Sequence, residues 1–80
     1  MEVTKFEGID RGLIKVWFGE KSILITGELT MTPKFYADII SIKKWESPFE
    51  DEIITDEVKK EIIHSIERFT RTAKVKVIFD

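Results

Sequence analysis

The sequence predicts an α+β domain: a single antiparallel sheet of four to five strands with one amphipathic helix packed on one face, in the order β-β-β(-β)-α-β. Three observations predict it. Apolar residues alternate over most of the first two-thirds of the 80-residue chain. The period then changes once, to 3.6, over Thr55 to Thr70 (TDEVKKEIIHSIERFT). Alternation returns over Lys74 to Phe79 (KVKVIF). One sheet and one helix make two layers around one core, enough for one domain spanning 1–80.

Val3 to Glu7 is a first strand, and Asp10-Arg11-Gly12 a turn in which glycine supplies a positive φ. Leu13 to Phe18 (LIKVWF) is rich in β-branched and aromatic residues and reads as a strand. Gly19-Glu20 fits a tight hairpin with glycine first, as a type II′ turn prefers, and Ser22 to Glu28 (SILITGE) is the returning strand. Met31-Thr32-Pro33-Lys34 breaks the pattern, because the residue before a proline is pushed towards extended backbone. Phe35 to Trp45 follows with mixed parity: Phe35, Ala37 and Ile39 on one face, Tyr36, Ile40 and Ile42 on the other. A strand with a bend or bulge near Asp38 accounts for it, and Ser47-Pro48 ends it.

The helix has Thr55 as N-cap and Asp56 and Glu57 in a first turn where the helix dipole favours negative charge. Val58, Ile62, Ile66 and Phe69 form its apolar stripe. Asp56–Lys60 and Glu67–Arg71 are acid-before-base pairs four apart, each contributing a few tenths of a kcal/mol. Ile23, Ile25, Val75, Val77 and Phe79 are the sheet residues expected to face the stripe. The opposite sheet face is then open to solvent or to a partner.

Composition removes several function classes. There is no cysteine, so disulfides and thiol chemistry are out and an oxidising compartment is not indicated. No apolar stretch approaches the roughly 20 residues a membrane span needs, and the amino-terminal MEVTKFEG is acidic and alternating, unlike a signal peptide. The expectation is a cytoplasmic protein without a membrane partner. Apolar residues make up 42% and charged residues 35%, as in a folded globule. A pI near 5.4 argues against a nucleic-acid partner.

Chemistry is sparse. The single histidine, His64, falls on the helix face opposite the stripe. Glu50-Asp51-Glu52 lacks the alternating ligands and central glycine of a calcium loop. No glycine-rich phosphate loop exists, and the carboxylates lack the burial that acid–base work needs. No enzyme activity, metal or cofactor is therefore expected.

What remains is a segregated charge. Trp45 to Val58 (WESPFEDEIITDEV) holds six carboxylates, Glu46, Glu50, Asp51, Glu52, Asp56 and Glu57, and no Lys or Arg. The chain nets −2, so the residues outside this stretch net +4 once −6 is taken away. A negative field beside apolar anchors suits a basic protein partner. The structural alternative is that acids gather where a loop leads into a helix N-terminus. Tyr36, Trp45 and Phe49 flank the run, either as a cluster closing the sheet edge or as interface anchors. The candidate partner-binding residues are Tyr36, Trp45, Glu46, Glu50, Asp51 and Glu52.

The turn and hairpin RGLIKVWFGEKSILITGEL (Arg11 to Leu29), the segment YADIISIKKWESP (Tyr36 to Pro48) with its Trp45-x-x-Pro48 spacing, and ITDEVKKEIIHSIERF followed by KVKVIF together resemble the immunity protein 74 family of bacterial polymorphic toxin systems. The likeness covers nearly the whole chain, and Glu28, Tyr36 and Trp45 match family positions. It implies a non-enzymatic protein that binds a co-produced toxin domain and blocks its activity in the producing cell. A nuclease toxin would present a basic groove, to which the acidic segment is complementary. A different class, a structural or regulatory adaptor that self-associates, predicts a homodimer instead.

Overall fold

The computed structural model describes residues 1–80. Five strands, β1 (Lys5–Asp10), β2 (Leu13–Phe18), β3 (Lys21–Leu29), β4 (Lys34–Ala37) and β5 (Lys76–Phe79), form one sheet in sequential order, and one helix, α1 (Asp56–Thr70), packs against it. β3 is the spine. Its first part pairs with β2 from Lys21 to Thr26, and its last part with β4 from Gly27 to Leu29.

The sheet is mixed rather than wholly antiparallel as expected, because β5 runs parallel to β4, with Phe35 opposite Val77. The reason is topological. The helix is a crossover that returns the chain to the starting end of β4, so the next strand enters in the same direction.

The β2–β3 turn agrees with the sequence reading. Phe18 pairs with Lys21 across Gly19-Glu20, Gly19 has φ +68°, and no other residue has positive φ. A type I′ turn would need positive φ at both central residues, so type II′ fits. The β1–β2 turn does not use Gly12 in that way, which corrects the expectation there. Asp10 Oδ1 accepts the Gly12 amide at 2.8 Å, and a register shift between Gly8 and Asp10 absorbs the bend. An Asx-type contact replaces the left-handed glycine.

Alternation sorts the sheet faces. Ile14, Val16, Ile23, Ile25, Phe35 and Val77 point to the helix and are buried. Lys15, Trp17, Leu24 and Tyr36 point away, and no second layer covers them. Gly27 faces inward where β4 comes closest. A Cβ there would lie 2.6 Å from Phe35 Cε2 and 2.9 Å from Ala37 Cα, and would run into the Tyr36 carbonyl oxygen.

The helix begins as the sequence suggests, with Thr55 Oγ1 accepting the Val58 amide at 3.2 Å. Its buried side is rotated from the expected stripe. Ile62 and Ile66 are fully buried, Ser65 and Thr70 share their side, Val58 is half-buried and Phe69 is 45% exposed. Two hydroxyls explain the shift. Ser65 Oγ donates to the Met1 carbonyl at 2.7 Å. Thr70 Oγ1 donates to the Ile66 carbonyl at 3.0 Å and accepts the Val77 amide at 3.2 Å, joining the helix end to β5. Phe69 instead stacks on Phe6 at 6.2 Å, covering the β1 side of the core.

Candidate partner-binding site

The strand expected to run from Phe35 to Trp45 stops at Ala37. Asp38 starts a single 3₁₀ turn, Ile39–Ser41, that clamps onto β3. The Asp38 amide donates to the Thr26 carbonyl at 2.8 Å, Ser41 Oγ donates to the Asp38 carbonyl at 2.7 Å, and Ser41 Oγ accepts the Thr26 amide at 3.1 Å. A side-chain oxygen has replaced the carbonyl a longer β4 would have offered. The turn also reverses parity, so Ile42 lies in the core while Ile40 is 78% exposed, against the expectation that both share one face.

From there the chain follows the uncovered edge of β3. The Glu46 amide donates to the Ser22 carbonyl at 2.9 Å. Neighbouring residues on this extended stretch point to opposite sides. Trp45 enters the core, 4% exposed, and meets Phe18 edge-to-face with ring centroids 5.8 Å apart. Glu46 lies on the open face, where its Oε1 accepts Ser22 Oγ at 2.8 Å and pairs with Lys15 Nζ at 3.3 Å.

The acidic loop turns back immediately. The Phe49 amide donates to the Glu46 carbonyl at 2.9 Å, the Glu52 amide to the Phe49 carbonyl at 3.0 Å, and Ser47 Oγ donates to Glu50 Oε2. An isolated bridge between Lys44 and Ile53 closes it. Lys21 fastens the loop to the hairpin: its Nζ is 2.6 Å from Glu52 Oε1 and stands 5.7 Å from the Trp45 ring centroid and 5.6 Å from that of Phe49. The loop is thus ordered, although it contains no element longer than a turn.

The candidate residues separate into three groups. Glu46, Glu50, Asp51 and Glu52 come together on one loop. Trp45 supports that loop from beneath as a core residue. Tyr36 stands on the open face of β4, opposite Glu28 and Ile78, and makes none of the loop's hydrogen bonds. Glu46 and Glu52 have lysine partners, whereas Asp51 has no ion pair, and Asp56 and Glu57 occupy the first turn of α1. No group of three or more His, Cys, Asp or Glu side chains is placed to hold a metal ion, and no helix is long and apolar enough to cross a membrane.

Sequence reasoning missed Ile53. It lies inside the acidic run and is 85% exposed, with its backbone fixed by the bridge to Lys44. The signal was the Ile53-Ile54 doublet. Only one of two adjacent residues on extended backbone can face the core, and Ile54 packs against it.

These features define a small α+β domain that displays a fastened acidic loop on one edge of its sheet. The chain belongs to the Immunity protein 74 family, whose profile matches residues 6–80. No curated protein and no solved structure matches it.

Proposed function

We propose that the protein neutralises a co-produced bacterial toxin domain by stoichiometric, non-enzymatic binding in the cytoplasm of the producing cell. The family match over residues 6–80 carries this reading. The loop from Glu46 to Ile53 is the contact surface. Glu50, Asp51 and Glu52 supply charge for a basic toxin surface, such as a nuclease groove, and Ile53 supplies an apolar contact beside them. Trp45 acts from below by holding the loop in shape, and Tyr36 extends the contact on the open face. Because the loop is already ordered, binding freezes few additional torsions, which favours a slow off-rate. Neither nucleic acid nor a membrane is a partner in this reading.

Titration calorimetry against the toxin domain encoded next to this reading frame is the test. Reversal of Glu50, Asp51 and Glu52 to Lys weakens binding well over tenfold while the melting transition persists, and Ile53→Asp weakens it as well. Unchanged affinity in both variants removes the loop from the interface. Absence of any binding by the wild type removes the toxin reading itself.

A further inference from the structure

The sheet ends in β1 on one side and β5 on the other. An edge strand presents unpaired backbone amides and carbonyls, which proteins commonly blunt with proline, covering chain or uncompensated charge. β1 has no proline and pairs only with β2. Every residue from Lys5 to Asp10 is exposed except Phe6, which is half-buried. The inner side of β1 is thinly covered as well, because the helix lies mainly over β5. It reaches β1 through Phe69, itself 45% exposed, which stacks on Phe6. Gly8 shares that inner face, opposite the buried Ile14, and a Cβ there would have nothing within 4 Å.

The order of residues along β1 makes this edge complementary to itself. Lys5 and Glu7 stand on the open face, on either side of Phe6. Neither belongs to the ion pairs Lys15–Glu46 and Lys21–Glu52, and Lys5 Nζ lies over the Trp17 ring. When two β1 strands pair antiparallel about a two-fold axis at Phe6, Lys5 of each falls opposite Glu7 of the other. The charges then alternate in sign both along and across the strands, the arrangement that stabilises cross-strand neighbours. On the inner face Phe6 meets its own copy, and the two Phe6–Phe69 stacks join. We propose that β1 is the interface of a symmetric homodimer in which the two five-stranded sheets become one continuous sheet. The occupant is a second copy, because this register sets unlike charges opposite each other twice and places one half-covered ring on another. β5, the other edge, holds no carboxylate and offers no such pairing. The register shift between Gly8 and Asp10 ends the ladder, which runs only from Thr4 to Gly8, so the dimer is weak. The acidic loop borders β3 on the side away from β2 and stays free. The dimer needs no toxin, and its test is independent of that reading.

Sedimentation velocity of the full chain between about 10 µM and about 1 mM is expected to show a monomer–dimer equilibrium. Lys5→Glu and Glu7→Lys each set like charges opposite one another twice, and each raises the dissociation constant roughly tenfold or more while the melting transition persists. An equimolar mixture of the two variants recovers the dimer, and so does the double variant Lys5→Glu/Glu7→Lys in a single chain. Hydrogen exchange of the β1 amides slows as the wild type dimerises, while that of β5 does not change. A wild type that is monomeric throughout overturns the proposal, as does a dimer indifferent to both single variants. A mixture that stays monomeric overturns the two-fold pairing at Phe6. Exchange that slows in β5 instead of β1 overturns the choice of edge.

Discussion

Residues 13–29 and residues 38–54 are stretches of equal length, one containing β3 and the other running along its edge, yet they are stabilised in different ways. The first is the β2–β3 hairpin, where every position outside the Gly19-Glu20 turn has a partner on a neighbouring strand and alternate side chains fill the core. The second has one 3₁₀ turn and one isolated bridge. It is held by a few specific devices: the Ser41 clamp, the Glu46–Ser22 contacts, the Lys21–Glu52 pair, and the indole of Trp45 in the core. In the hairpin, stability is spread over a repeating ladder. In the connecting segment it is concentrated in single side chains, and that segment carries the acidic surface.

The largest expected effect breaks the segment. Trp45→Ala removes a buried indole that contacts Phe18 from beneath the loop, and should lower stability by about 3–5 kcal/mol. That is a large share of the roughly 4–12 kcal/mol expected of a chain this long. Urea denaturation measures it, and a loss below about 1 kcal/mol would place the indole outside the load of the fold. Next is the tight point of the regular half. Gly27→Ala drives a methyl group into the paired backbone of β4, and should cost about 1–3 kcal/mol in the same assay. A neutral result would mean that β4 can move away freely. The smallest effect sharpens the contrast. Glu52→Gln breaks an ion pair whose carboxylate side chain is 48% exposed, and should shift stability by less than about 1 kcal/mol. Within the segment, the fastening would then be apolar first and ionic second, and a larger loss would reverse that ranking.

The same contrast governs what could be read from the amino-acid order. Strands β2 and β3, the Gly19 turn and the helix follow from period and local backbone preference, which neighbouring residues determine between them. The pairing of β5 with β4 depends on where a crossover delivers the chain, and no local pattern in KVKVIF encodes direction. The segment after Ala37 has no period to read. Its parity is reset by a serine hydroxyl standing in for a strand, so Ile42 moves inward and Ile40 outward. In sequence Trp45 adjoins the acidic run. In space Glu46 lies on the opposite side of the backbone, and the exposed apolar residue among the acids is Ile53. The carboxylates themselves were legible as a group because they are contiguous. Which of them are paired depends on Lys15 and Lys21, both distant in sequence.

The chain carries two indoles, and the sheet separates them. Trp17 stands on the uncovered side with the ammonium groups of Lys5 and Lys15 at 4.7 and 4.8 Å from its ring, while Trp45 is sealed beneath the loop. Their emission should therefore differ in colour, because water reaches the indole of Trp17 and is kept from that of Trp45. Replacing either by phenylalanine leaves a single indole, excited apart from Tyr36 at the red edge of absorption, so each side of the molecule comes with its own optical gauge and needs no attached dye.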